Sequence, residues 1–251
     1  MCAKNETVPE GWFKCERPGL DFPFYNDETV PMWQGWLLAG VSLFVAVTLN
    51  VPYTIPLDRT IFKLIVALLF PLVTLLVVAR GNMFTVIKKP IARDILLALG
   101  VALSSIVYAF VMGSLLRFGF GIEGQANPAV AEAREPGFYL PLLLQLFGEE
   151  LFKTNLMLGC ILLVFRRTGD RKAAVIFAGF VTLMVFGLSH WEAYRSLANI
   201  ILIQGLGSFP FVYAYVKTKN ILVTYAAHVV YDLISFGFVF LSAALNAGAL
   251  L

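Results

Sequence analysis

The stretch FYLPLLLQLFGEELFKTNLMLGCILLVF, residues 138–165, decides how the rest of the chain is read. Sixteen of its residues are Leu, Ile, Phe or Val, yet Glu149, Glu150 and Lys153 stand near its middle. At about 1.5 Å per residue, Glu149 lies about 16 Å down a helix that begins at 138. The apolar residues favour insertion by roughly 5–10 kcal/mol, and three mid-bilayer charges at about 2.5–3.5 kcal/mol each cost nearly as much. Such a helix inserts only if its charges are paired, neutralised or turned toward a polar cavity. Ionisable groups at that depth are by default functional candidates.

The surrounding sequence supports a membrane reading. Of 251 residues, 59% are hydrophobic and 14% charged, and the mean hydropathy is +0.80. A soluble domain carries about 45–50% apolar and about 25% charged residues. Seven apolar segments, at about 34–55, 60–80, 92–117, 138–165, 172–190, 196–217 and 219–248, predict an all-α, polytopic transmembrane bundle of seven to eight spans around an intramembrane polar cavity. Residues 1–33 are read as a polar cytoplasmic segment, and 34–251 as a single transmembrane domain. The start of the chain lacks the pattern of a cleavable signal peptide, so the first span is expected to direct insertion. The triplet Asn5-Glu6-Thr7 fits a glycosylation acceptor and is read as chance.

Loop charges give an orientation. Alternate connections hold 13 Lys and Arg against 4 in the opposite set, which predicts a cytoplasmic N-terminus. The basic connection GNMFTVIKKPIAR (81–93) is expected on the membrane surface. Three cysteines with no paired spacing imply neither a disulfide framework nor a zinc knuckle. The basic residues are scattered over loops, so nucleic acid is not expected as a partner.

The two histidines add to the charged helix. His190 ends segment five in FGLSH, and His228 lies inside segment seven in HVVYD, four residues before Asp232 and therefore on its helix face. Read singly, His190 is an interfacial residue beside Trp191 and Tyr194, His228–Asp232 is a helix-stabilising pair, and Lys153 is an ion-pair partner of Glu149 or Glu150. Together they place carboxylates and imidazoles on three otherwise apolar helices. A carboxylate can take a proton from water. A polar side chain nearby can donate to a developing oxyanion. Two His and one Glu are also a catalytic zinc set, so a divalent metal stays open as a cofactor. No Gly-x-Ser-x-Gly or His-Glu-x-x-His motif is present. Depth adds a tension: Glu149 and His228 fall at similar depths, whereas His190 falls roughly 10 Å nearer the outer surface unless segment five is tilted or starts later, or a further span intervenes.

These motifs, in this order, resemble the CAAX prenyl endopeptidases and their bacterial relatives, the CPBP or Abi group of intramembrane proteases. That family is marked by Glu-Glu-x-x-x-Arg, then Phe-x-x-x-His, then His-x-x-x-Asn/Asp. Here Glu149-Glu150, Phe186-His190 and His228-Asp232 match, over a region of about 138–240. Thr154 stands where the family has Arg, and Lys153 is one place early. The resemblance implies that Glu149 activates water against a peptide bond of a membrane-attached or lipidated substrate. It implies that Glu150 shapes and neutralises the site, that His190 helps hold the water or substrate, and that His228 with Asp232 makes the oxyanion-side contacts. Membrane lipids and a lipidated peptide are the implied partners. Thr154 keeps open an alternative in which the chain is a non-proteolytic immunity, regulatory or scaffold protein. Buried Glu, Lys and Asp also mark ion carriers, but no inverted repeat or pair of broken spans supports that class.

Overall fold

The computed structural model describes residues 11–51, 58–123, 133, 135 and 137–248. The Asn5-Glu6-Thr7 triplet lies outside them. The described residues are helical and contain no strand. We number the helices α1 (Met32–Asn50), α2 (Arg59–Leu64, continuing through a π-turn at Ile65–Leu69 into Phe70–Val78), α3 (Ala92–Ser114, with a π-turn at Leu115–Gly119), α4 (Tyr139–Thr168), α5 (Arg171–Leu188), the short α6 (Trp191–Tyr194), α7 (a π-turn at Asn199–Gly205 and a 3₁₀ turn leading into Phe209–Thr218) and α8 (Ile221–Gly248).

Six of these, α1, α2, α3, α5, α7 and α8, are long and apolar enough to cross a membrane. The 30-residue α4, about 45 Å long, is the seventh long helix and the one carrying the three central charges. From Glu150 to Leu163 every residue of α4 is buried. A helix buried on all sides is the axis of a bundle, and α4 packs most extensively against α1 and α5. At the periphery, α3 exposes Ile95, Leu99, Leu103, Val107 and Phe110, an apolar stripe at helical spacing. On a water-soluble protein such a stripe would be an aggregation liability, whereas facing lipid it needs no cover.

Glycine sets the closest approaches. A Cβ on Gly148 would lie 2.5 Å from Ala67 O in the π-turn of α2, and one on Gly187 would lie 2.6 Å from Ile200 O in the π-turn of α7. No other residue fits there without moving backbone, so α4 and α5 are held against those turns beside the acidic pair and the Phe186–His190 turn.

Residues 11–31 are part of the bundle rather than a solvated tail. Phe22, Phe24, Tyr25 and Val30 are buried in the same hydrophobic cluster as α4 and α5. Glu16 accepts from Arg171 Nη1 and Nη2 at 2.8 and 2.6 Å and from Lys219 Nζ at 2.5 Å. The connection 81–91 docks on the α7–α8 turn. Val86 is fully buried. The Lys88 N–H donates to Asn220 Oδ1 at 3.1 Å, and the Ile221 N–H donates to Val86 O at 2.9 Å.

Candidate active site

Four helices bring the sequence motifs together. α4 presents Glu149, Glu150 and Lys153, α5 presents Phe186, the turn into α6 carries His190, and α8 presents His228 and Asp232. The two acids sit in different surroundings. Glu150 is 3% exposed; its Oε1 lies 2.8 Å from His228 Nδ1 and 2.5 Å from Lys153 Nζ. Glu149 is 16% exposed and accepts from Gln145 Nε2 at 3.0 Å. Its Oε2 faces His228 Nε2 across 3.8 Å, too far for a direct hydrogen bond.

This pattern fixes the roles that the His228 nitrogens can play. Nδ1–H donates to the Glu150 carboxylate, so in the neutral ring Nε2 is an acceptor. Two acceptors, Nε2 and the Glu149 carboxylate, then face one gap, which suits a molecule with two donor hydrogens. Asp232 lies within electrostatic range of both His228 and Glu149. The hydrogen bond of His228 goes across the bundle to Glu150, not along α8 to Asp232, which the four-residue spacing had favoured.

His190 joins the group. α5 stops at Leu188, and the chain turns so that His190 begins α6 instead of continuing outward. His190 Nδ1 is 2.8 Å from Phe186 O, and its ring packs edge-on to Phe186 at 4.7 Å. The far side of Phe186 faces His228 at 6.4 Å. His190 is within electrostatic range of Glu149 and His228. His190 thus reaches the same group as Glu149 and His228, with no additional span between them among the described residues.

Several contributors were not singled out in the sequence. Phe211 packs on His228 at 5.2 Å and Tyr231 at 6.5 Å; Tyr194, named in the sequence only as an interfacial neighbour of His190, lies 6.3 Å from its ring. The available signals were Gln145, one turn before Glu149, and Tyr231, three residues after His228. Phe211 has no such signal, because it comes from another helix.

Lys153 pairs with Glu150 from one position before the motif Arg. Its ammonium also lies over the rings of Phe186 and Phe211, at 4.4 and 4.9 Å. It supplies charge but not a two-pronged hydrogen bond. Thr154, at the Arg position, is buried, as is Asn155, whose Nδ2 donates to Pro71 O at 2.8 Å. Lys153→Ala leaves Glu150 with His228 alone, and breaking such a buried pair costs about 3–5 kcal/mol. The melting temperature in detergent should fall by about 6–20 °C. An unchanged melting profile would show that the pair contributes nothing.

Among the described residues no group of three or more His, Cys, Asp or Glu is arranged to hold a metal ion. The geometry agrees with this, since Glu150 and the Nδ1 of His228 are committed to each other and the Lys153 ammonium already supplies the positive charge beside Glu150. Glu150 and the Nδ1 of His228 are therefore not available to zinc.

Comparison with known proteins gives one match. Residues 136–234 match the family model described as type II CAAX prenyl endopeptidase Rce1-like. No curated protein and no solved structure matches the chain. The matched region runs from the start of α4 into α8 and contains both acids, both histidines and Asp232. A bundle of long apolar helices carrying this region is an integral membrane protein. By that match, and by the ordered Glu-Glu, Phe-x-x-x-His and His-x-x-x-Asp motifs within it, the helical core over residues 136–234 is similar to the type II CAAX prenyl endopeptidase Rce1-like family.

Proposed function

We propose that this protein is an intramembrane endopeptidase in which Glu149 activates water to cleave a membrane-attached or lipidated peptide, with the Lys- and Arg-rich end of the bundle facing the cytoplasm. The observation that carries the reading is the 3.8 Å gap between Glu149 Oε2 and His228 Nε2. A water beside the pair, about 2.8 Å from each atom, donates one hydrogen to each. As its oxygen attacks the scissile carbonyl carbon, Glu149 takes its proton. When the C–N bond breaks, the same proton passes to the leaving amine. As the carbonyl oxygen replaces the water's hydrogen at Nε2, His228 takes up a proton from solvent, donates from Nε2 to that oxygen and keeps the proton throughout, and Glu150 behind Nδ1 balances the charge on the ring. Lys153 and His228 Nδ1 both engage Glu150, which leaves Glu149 as the base. Phe186 and His190 form the wall on which the peptide rests, and Asp232 borders the same space. No step uses a metal.

The test is cleavage of a prenylated peptide by purified protein in detergent or vesicles. Wild type should release the C-terminal fragment. His228→Ala should lower the rate by about 10²–10³-fold, as losing an oxyanion-side donor does. Equal rates in the two proteins would remove His228 from the chemistry. Absence of any cleavage, with the cellular phenotype intact, would favour an immunity, regulatory or scaffold role.

A further inference from the structure

Beside the Glu150–Lys153 pair, residues of α4, α5, α7 and α8 line a small cavity. It is bordered by Glu150, Lys153, Thr154, Met157, Thr182 and Tyr215. Tyr215 is 4% exposed, Thr182 1% and Lys153 5%. Lys153 Nζ, Thr182 Oγ1 and Tyr215 Oη all lack a well-formed hydrogen bond among the described residues. Lys153 has its ion-pair contact with Glu150, and the Thr154 hydroxyl makes only a loose approach to that of Tyr215. Buried polar groups are normally paired, because an unmade hydrogen bond forfeits the full desolvation cost of the group. Two hydroxyls without a well-formed hydrogen bond and an ammonium with donors to spare, from three helices around one space, form a set that a single shared partner would satisfy.

The size and charge of the cavity identify that partner. It offers about 10 Å³ to the centre of a water molecule, room for one. Its charges cancel, since the Lys153 ammonium is already met by the Glu150 carboxylate, so an anion has no net attraction to it. Its edges carry both donors and acceptors, as water requires. We propose that the cavity holds one ordered water bridging Lys153 Nζ to the hydroxyls of Tyr215 and Thr182, in the space left by having Thr154 where the family motif has Arg. Lys153 and the water together then do what one forked side chain would do. The ammonium neutralises Glu150, and the water fixes the ammonium through α7 and α5. The assignment does not depend on the proteolytic reading.

X-ray radiolysis tests it. Hydroxyl radicals formed from a trapped water oxidise its neighbours even where bulk solvent is excluded. Met157 lines the cavity and is 1% exposed, whereas the more reactive thiol Cys160 is 8% exposed and not among the cavity residues. In the folded wild type, Met157 should be oxidised faster than Cys160. In the Thr182→Val/Tyr215→Phe double variant, which keeps the shape and removes both hydroxyls, Met157 oxidation should fall several-fold and the melting temperature should drop by a few degrees. Met157 left unlabelled in wild type, or labelled equally in the double variant, would overturn the proposal. So would a double variant that melts higher, because removing unpaired hydroxyls from a dry cavity relieves a cost. A melting temperature that rises with added bromide while Met157 stays unlabelled would assign the cavity to an anion instead. The wild-type labelling decides the matter even if the double variant does not fold.

Discussion

Glu149→Gln should express and melt like wild type while losing about 10²-fold or more of its cleavage rate. The structure separates these two effects. Glu149 makes one hydrogen bond, from Gln145, and stands 3.8 Å from His228. An amide of the same shape can keep that hydrogen bond, and removing a partly buried charge relieves desolvation. What Gln cannot do is accept the proton of the attacking water. Glu150→Gln is the contrasting variant. It cuts the carboxylate that holds both Lys153 and His228 and so leaves a buried ammonium uncompensated, at a cost of about 3–5 kcal/mol. Thermal denaturation and peptide cleavage, measured on both variants at equal expression, should therefore show an inactive stable protein and an unstable one. If Glu149→Gln cleaves at the wild-type rate, Glu149 is not the base. If it also retains the full cellular phenotype, the non-proteolytic reading takes precedence.

The sequence was most informative where burial and spacing act along one helix. The apolar runs matched the seven long helices because a segment that must satisfy its backbone inside lipid has little choice but helix. The acidic pair was conspicuous for the same reason, since charges in α4 cannot be explained by lipid contact. Relations between helices were harder to read. A straight continuation of α5 carried His190 away from Glu149, but the structure breaks the helix at Leu188, where Ser189 Oγ donates to Phe186 O at 2.7 Å. Nothing in the spacing distinguishes that break from a longer helix. The choice between Glu149 and Glu150 as partner of Lys153 was likewise open, as i,i+4 and i,i+3 spacing both permit contact. Packing decided it by turning Glu150 into the bundle and leaving Glu149 at the gap.

The largest departure from the sequence reading is the N-terminal segment, and it supplies the other large expected effect. Glu16 has no exposed side-chain surface and accepts four hydrogen bonds, two from Arg171, one from Lys219 and one from the Phe13 N–H at 2.8 Å. Arg171 also reaches Asp21 at 2.8 Å and lies 4.5 Å from the Trp12 ring, and Lys219 Nζ lies 4.1 Å from the Phe22 ring. Read as a string, residues 11–25 look polar. Their aromatics, Trp12, Phe13, Phe22, Phe24 and Tyr25, were the overlooked sign that the segment docks.

Glu16→Gln keeps the volume but strands two buried cations, so it should cost about 3–5 kcal/mol, or about 6–20 °C in melting temperature. The pH dependence follows from the same groups. Burial pushes the Glu16 carboxyl up, but Arg171, Lys219 and the Phe13 N–H outweigh it and hold it below its ordinary 4.5. Its contribution is thus complete above pH 4.5 and lost as pH falls toward the lower folded value. For Lys219, burial outweighs Glu16 and brings the ammonium down to about 8 from 10.5. Between those values the unfolded chain binds more protons than the folded one, so this group makes stability rise with pH. Lys219→Met removes the titrating group while keeping the apolar stem. Wild type should therefore gain stability relative to Lys219→Met between pH 8 and pH 10.5, as read from paired thermal scans. A constant difference across that range would mean that Lys219 carries its charge as freely in the folded protein as in the unfolded chain, so that the tie to Glu16 fully offsets the cost of burying the ammonium.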